Sequence, residues 1–145
     1  MEPRFKSYLK SIGITATLVN KIESILSFYK DICSYKIEDI FVSEYLTEDG
    51  SRQYENLWLF SKKSAMEAKQ FVSTDNYDDT VFNKKIIRWD LSKTDYDFKN
   101  ATEKSRAFLN VMIQDGVSGV FKASKENCDQ LLMIFKKHIL PNMKE

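Results

Sequence analysis

The sequence is most constrained near its C-terminal end, where a hairpin pattern runs directly into a helix pattern. Ala107, Leu109, Val111 and Ile113 place one apolar face inward, while Asn110 and Gln114 point the other way, and Val117 to Ala123 forms a second run typical of a strand. Asp115-Gly116 lies between the two runs, and a tight hairpin turn needs the positive φ that glycine adopts freely. These residues predict two antiparallel strands joined by a short turn.

An amphipathic helix is predicted immediately after this hairpin, over residues 124–140. Ser124 is a good N-cap residue, and Glu126 suits the positive end of the helix dipole. Pro141 ends the helix because proline lacks the backbone N–H that a helix interior requires. Apolar residues at intervals of three and four predict the buried stripe, which consists of Cys128, Leu131, Leu132, Phe135 and Ile139.

Residues 1–34 predict a helical hairpin. Apolar residues at helical spacing form one face of the first helix, namely Phe5, Tyr8, Leu9 and Ile12. Gly13 stands where a glycine commonly ends a helix, and Thr15 or Thr17 can cap the next one. The second helix has an apolar face made of Leu18, Ile22, Ile25, Tyr29 and Ile32.

The middle of the chain, residues 35–123, predicts an antiparallel sheet of six or seven strands. The run from Ile40 to Leu46 is rich in aromatic and β-branched residues, Thr47 to Ser51 predicts a turn, and the run from Arg52 to Ser61 is apolar again. Residues Ser64 to Val72 fit a strand or a helical turn, and we favour the strand. The acidic segment from Thr74 to Asp79 is typical of a solvated loop.

A further strand is predicted around Trp89. Ile87, Trp89 and Leu91 alternate with polar residues, and Tyr96 and Phe98 continue the pattern after a break. The whole chain therefore predicts an α+β fold in which a helical hairpin, a strongly bent antiparallel sheet and a C-terminal helix follow one another.

Length, charge and cysteine content limit the classes of function. A chain of 145 residues is near the usual size of one domain, so we predict a single domain over residues 1–145. The 22 basic and 21 acidic residues nearly cancel, which leaves no overall field toward nucleic acid or anionic membranes. Cys33 and Cys128 fit no zinc spacing, and no apolar run predicts a signal peptide or membrane span. We therefore expect a cytoplasmic protein without a membrane partner.

Few residues suggest catalysis. His138 is the only histidine, and Cys128 precedes it by ten residues in the same predicted helix. The two side chains are therefore about 15 Å apart, too far for a catalytic Cys-His pair in a continuous helix. A histidine in a last helical turn is more often a dipole partner or an exposed residue than a ligand. Four glycines leave no room for a phosphate-binding loop or a dinucleotide motif. We predict no enzyme activity, no cofactor and no metal site.

One weak metal pattern remains open as an alternative. Glu67-Ala68-Lys69 fits the Glu-x-Lys triplet of restriction-type nucleases, with Glu44 or Asp49 as the upstream carboxylate. Three common residues match such a pattern easily by chance, and we favour a chance match. The acidic residues Asp75, Asp78 and Asp79 lack the alternation and the glycine of a calcium loop.

From Lys36 to Leu140 the order of elements resembles the pleckstrin-homology-like superfold. The resemblance is carried by the ending FLNVMIQDGVSGVFKASKENCDQLLMIFKKHI, residues 108–139. It implies a bent antiparallel sheet capped at one open end by the last helix. Phosphoinositide-binding members of that fold have basic residues in the first strand and the loop after it, whereas this loop reads Glu48-Asp49-Gly50. Eukaryotic members of that fold tend to carry a Trp in the last helix, and residues 125–140 contain none. The resemblance therefore points to the divergent bacterial branch.

The first helices carry a second resemblance. The stretch FKSYLKSIGITATLVNKIESILSFY, residues 5–29, is similar to the helical N-terminal module of tyrosine recombinases and some restriction-type proteins. This similarity implies contact with the DNA backbone. The simpler alternative, which we favour, is a helical hairpin that packs on the sheet as part of the core.

Two features are candidates for binding. Trp58 lies in the apolar run from Leu57 to Phe60, which needs cover on both faces, either from the helical hairpin or from a partner. We favour the hairpin. Basic residues at predicted strand ends could form a nucleic-acid patch or serve solubility alone, and they are Lys62, Lys63, Lys84, Lys85 and Arg88.

These observations favour a non-catalytic protein-interaction domain of a cytoplasmic, bacterial-type protein. A protein partner would use a sheet edge or the groove beside the last helix. The alternative is a DNA-associated protein of a mobile element or a defence system. A metal-dependent nuclease that uses Glu44, Glu67 and Lys69 is the third hypothesis.

Overall fold

The computed structural model describes residues 1–31, 36–47, 49–62, 64–73, 79–83, 86–97, 102–113 and 118–142. In chain order the helices and strands are α1 (Pro3–Ser11), α2 (Ala16–Asp31), β1 (Asp39–Leu46), β2 (Arg52–Phe60), β3 (Ser64–Ala68), β4 (Asp79–Asn83), β5 (Ile86–Asp97), β6 (Thr102–Ile113), β7 (Ser118–Ala123) and α3 (Cys128–Ile134). Within these described ranges, no helix has the length and apolar character needed to cross a bilayer.

The strands form two antiparallel sheets, so the predicted α+β class is confirmed in its coarse form. One sheet has four strands in the order β1-β2-β3-β4, and the other has three in the order β5-β6-β7. The strongly bent sheet of six or seven strands that the sequence predicts is not found as one hydrogen-bonded sheet, because the described strands divide into these two. Two sheets packed face to face let their apolar faces meet across a shared core.

The N-terminal helical hairpin forms as the sequence predicts. Gly13 has a φ of +80°, and the N–H of Ile14 donates to the carbonyl of Leu9 at 3.0 Å, which ends α1. The hydroxyl oxygen of Thr15 accepts from the N–H of Leu18 at 3.4 Å and caps α2. All four residues of the predicted α1 face are buried.

The hairpin covers one face of the four-stranded sheet. Alternate residues of β1 to β3 share a buried apolar cluster with α1 and α2, and these strand residues are Ile40, Val42, Leu57, Leu59, Met66 and Ala68. The period of two explains the arrangement, since every second side chain of a strand points to the same face. The prediction that the hairpin packs on the sheet as core is confirmed.

The opposite face of the same sheet meets β6, β7 and the last helix. Phe41, Trp58 and Phe60 pack there with Phe121, and the Trp58 and Phe121 ring centroids are 4.3 Å apart. The run from Leu57 to Phe60 is therefore buried on both faces by the chain itself.

The last helix is less regular than the sequence predicts. A 3₁₀ turn (Lys125–Asn127) precedes α3, and a π-helical turn (Phe135–Ile139) and a second 3₁₀ turn (Leu140–Asn142) follow it. We call residues 125–142 the C-terminal helix. Its buried residues include Ile134 and His138, while the predicted stripe residue Leu132 lies at the edge of the buried face and is only half-buried.

Several strand boundaries differ from the prediction. β4 was not predicted, and Asp79, assigned to a loop, is its first residue. β3 ends at Ala68 instead of Val72, and a turn with a positive φ at Gln70 follows. β5 is continuous, with irregular pairing near Thr94 where a break was predicted. The turn at Asp115-Gly116 and residues 74–78 lie outside the described residues, but β6 and β7 pair in antiparallel fashion, as the sequence predicts.

Candidate functional site

A cleft of about 950 Å³ opens between the two N-terminal helices and the segment before β1. We call it the N-terminal cleft. The first turn of α1, the second half of α2 and the residues just before β1 form its walls. Its lining consists of Met1, Glu2, Phe5, Glu23, Leu26, Ser27, Lys30, Lys36 and Ile37.

The floor of the N-terminal cleft is apolar. Phe5 belongs to the buried cluster under the hairpin, and Met1, Leu26 and Ile37 pack against that cluster while remaining partly exposed. The floor is thus the outer surface of the core, which the described residues leave accessible at this place. Apolar surface that remains concave and accessible can bury apolar groups of a ligand.

Charged residues form the rim of the N-terminal cleft. The Glu2 carboxylate is 2.7 Å from the Arg4 Nε, and the Glu23 Oε1 is 3.8 Å from the Lys6 Nζ. Lys30 and Lys36 are exposed, and within the described part of the chain neither of them forms an ion pair.

Beside the cleft, Arg4 enters a second polar group that we call the Asp39 cluster. The Asp39 carboxylate is 2.7 Å from Arg4 Nη1, 2.7 Å from Lys137 Nζ and 2.6 Å from His138 Nε2. Asp39 is 2% exposed. Burial by itself would raise the pKa of Asp39, but the hydrogen bonds from His138, Lys137 and Arg4 outweigh it and hold that pKa well below the ordinary value.

His138 is buried, whereas the sequence favoured a dipole partner or an exposed residue. Its ring stacks on Phe60 with centroids 4.9 Å apart, and Asp39 lies at the start of β1 beside it. Glu38, Asp39 and His138 offer ligand atoms within 4.8 Å of one another. The cations of Arg4 and Lys137 already contact the Asp39 carboxylate and oppose a divalent ion there, so this donor set fits an ion-pair network better than a metal centre.

A third polar group surrounds Glu44. Arg52 Nε lies 3.0 Å from Glu44 Oε2, and both the backbone N–H and the hydroxyl of Ser124 donate to Oε1. Burial raises the pKa of Glu44, and the Ser124 hydrogen bonds and Arg52 offset only part of that effect. Ser124, predicted as a helix cap, therefore uses its side chain to tie the C-terminal helix to β1.

The residues of the nuclease hypothesis are not brought together. On the intervening strand β2, Glu44 pairs with Tyr54 and Glu67 with Trp58. That register separates the two carboxylates by four strand residues, about 13 Å along β2, before the width of two strands is added. Ligands of one metal ion lie within about 2.6 Å of it.

The predicted binding residue Trp58 is a core residue. It is 1% exposed, because β7 and the C-terminal helix cover the face it shares with Phe60 while the hairpin covers the other. Its ring is so tightly packed that a Cβ at Gly119 would lie 2.9 Å from it. Trp58 therefore presents no surface to a partner.

Only part of the predicted basic patch is described. Lys62 is exposed just after β2. Lys63, Lys84 and Lys85 lie outside the described residues, and for Arg88 the structure describes the backbone within β5. The patch stays a prediction.

The two predicted partner surfaces differ in accessibility. At the outer edge of β1, Tyr8 OH accepts from the N–H of Val42 at 2.9 Å, and Asn127 Nδ2 donates to the carbonyl of Val42 at 2.7 Å. Side chains thus close this sheet edge to strand addition. Beside the C-terminal helix lies a groove of about 450 Å³, lined by Asp129, Leu132, Met133, Lys136 and Lys137.

The N-terminal cleft was missed by the sequence analysis. Its one sequence signal is Leu26, an apolar residue next to the buried stripe of α2 with Glu23 three residues before it and Lys30 four residues after it. In comparisons with protein-family models, with curated proteins and with solved structures, nothing matched this chain.

Proposed function

We propose that this chain is a non-catalytic protein-interaction domain and that the N-terminal cleft holds a segment of the partner. The observation that carries the proposal is the cleft itself, with a volume of about 950 Å³, an apolar floor and a charged rim. Surfaces with an apolar centre and a polar rim are typical of protein interfaces.

The shape of the cleft favours a peptide segment. Glu23, Leu26, Ser27 and Lys30 stand at i, i+3, i+4 and i+7 of α2, so the lined face extends over two helical turns, about 10 Å. An elongated apolar groove along a helix suits an amphipathic segment that inserts anchors at helical spacing.

The polar clusters support a binding role more than a catalytic one. Asp39 and Glu44 each contact cations of their own chain at 3.0 Å or less, and both are buried. Because these contacts are made within the fold, neither carboxylate is presented to a substrate. A cytoplasmic location stays a prediction.

We also propose the pleckstrin-homology-like architecture for residues 36–140. Three features support it: the order of strands in sheets of four and three, the contact between β1 and β7, and the packing of α3 on β1, β6 and β7. The N–H of Lys122 on β7 donates to Ser43 Oγ on β1 at 3.0 Å, which links the two sheets at one corner.

The test compares capture of partners by two matched variants. Leu26→Gln makes the floor of the cleft polar, while Phe28→Gln changes a side chain on the same helix that is 44% exposed and outside the cleft. Each variant is used to capture proteins from nuclease-treated lysate of the source cell. The proposal is supported if wild type and Phe28→Gln both capture the same defined protein and Leu26→Gln does not.

If proteins are retained only without nuclease treatment, the protein-interaction proposal is contradicted and the DNA-associated alternative is favoured. Equal capture by both variants would remove the cleft from the interface. Circular dichroism of each variant shows whether the fold is kept.

A further inference from the structure

The charges around the N-terminal cleft are unevenly compensated. Both rim carboxylates have a cation of the same chain beside them, Arg4 for Glu2 and Lys6 for Glu23. No described residue forms an ion pair with Lys30 or Lys36. The charge that the cleft leaves for a ligand to neutralise is therefore positive.

Both lysines line the cleft on different segments of the chain. Lys30 is in the last turn of α2, and Lys36 stands next to the floor residue Ile37, whereas Glu23 lies seven residues before Lys30. Seven residues of helix correspond to about 10 Å. The negative end of the α2 dipole offsets part of the Lys30 charge, whereas no described residue forms an ion pair with the Lys36 ammonium.

We propose that the occupant of the N-terminal cleft is an acidic amphipathic segment of a protein, in which carboxylates flank large apolar side chains. This inference rests on the proposed function and names the chemistry of the partner. The apolar side chains bury against Phe5, Leu26 and Ile37, and the carboxylates approach Lys30 and Lys36 at the rim.

A polyanion such as nucleic acid fits this cleft less well. Binding to a nucleic-acid backbone draws on contacts with many phosphates in succession, and the rim offers two uncompensated lysines with Glu2 and Glu23 nearby. The apolar floor is also recessed, which suits inserted side chains more than the flat surface of a bilayer.

The experiment uses three synthetic peptides of about 14 residues with one shared leucine pattern and with Glu, Gln or Lys at every polar position. Fluorescence anisotropy measures the Kd of each for the full-length protein. We expect the Glu peptide to bind more tightly than the Gln peptide and the Lys peptide to bind most weakly. Raising the salt concentration should reduce the preference, because exposed charges are screened.

Variants locate the effect. The double variant Lys30→Gln with Lys36→Gln is expected to raise the Kd of the Glu peptide by a factor of about 2 to 5 for each lysine. The Kd of the Gln peptide should stay unchanged. The matched control is Lys10→Gln with Lys125→Gln, two exposed lysines outside the cleft, which should change neither affinity.

The outcomes separate this inference from the function on which it rests. If the Gln and Glu peptides bind equally and Leu26→Gln weakens both, the acidic preference is overturned while the cleft remains a binding site. If none of the peptides binds, the inference is overturned, and capture from lysate decides the proposed function independently. The inference would also be overturned if the control variant Lys10→Gln with Lys125→Gln lost as much affinity for the Glu peptide as the cleft variant does.

Discussion

At the scale of single residues, Asp39 is the buried carboxylate at the centre of a polar cluster. Arg4, Lys137 and His138 all contact its buried carboxylate. Replacing it by Asn keeps the shape but removes the charge, so we expect Asp39→Asn to lower the free energy of unfolding by about 2 kcal/mol, the usual value for charge-assisted hydrogen bonds. Urea denaturation measures the change. Asp129→Asn, at an exposed carboxylate on the C-terminal helix, should cost almost nothing.

The effect of Asp39 depends on pH with a defined sign. Its pKa is lower in the folded protein than the ordinary value of about 3.9, so the ionised form stabilises the fold above that value. This contribution is lost as the pH falls toward the lower folded pKa. The difference in stability between wild type and Asp39→Asn should therefore be largest above about pH 5 and shrink at lower pH. A difference that grows on acidification would contradict this assignment.

Glu67 is expected to behave in the opposite way. Burial raises its pKa, although Lys69 and the hydrogen bond from Asn56 offset part of the rise. An acid with a raised folded pKa opposes folding when it is ionised, so Glu67→Gln should increase the free energy of unfolding at pH 7. The gain should fade as the pH drops through the range where Glu67 binds a proton. Urea denaturation at pH 7 and at pH 4 gives both values.

At the scale of elements, the hydroxyl of Tyr8 joins α1, β1 and the C-terminal helix. It accepts from the N–H of Val42 and donates to Asn127 Oδ1 at 2.7 Å, all in the buried interior. Tyr8→Phe leaves the Val42 N–H without this acceptor, and we expect a cost of about 1 to 3 kcal/mol. Tyr45→Phe, at a ring that is 44% exposed, is the matched control.

A double-mutant cycle tests whether the three elements are coupled through this hydroxyl. Tyr8→Phe and Asn127→Ala share a partner, so their effects should not add, and the coupling should exceed about 0.5 kcal/mol. Additive effects would mean that the two side chains stabilise the fold separately.

A helix or strand can be predicted from the sequence when the residues that determine it lie close together in the chain. α1 and α2 follow from helical spacing and from Gly13 and Thr15, which act within a few residues. β4 is short, and its place is set by pairing with β3, for example Met66 with Val81, which no local pattern reveals. The Asp39 cluster joins residues 99 positions apart, and the cleft needs two helices and a later segment in position. Neither could be read from spacing alone.

At the scale of the whole molecule, the helical hairpin is part of the core and not a separable module. Ile40, Val42, Leu57, Leu59 and Met66 are 0% exposed under it. Uncovering a side chain of this kind costs about 1.5 to 3 kcal/mol, so losing the cover of five costs an amount comparable to the total stability of a typical domain, about 5 to 15 kcal/mol. A chain without residues 1–34 should therefore fail to fold.

Near-UV circular dichroism and proton–nitrogen NMR spectra of that shortened chain decide the matter. We expect weak near-UV signals and poorly dispersed amide resonances, with aggregation at NMR concentrations because the uncovered face is apolar. A helical hairpin that served as a separate DNA-contacting module, the alternative interpretation of the sequence, would instead leave a folded remainder with dispersed resonances. The N-terminal cleft and the core depend on the same two helices, so binding of the proposed partner is expected to raise the stability of the entire chain.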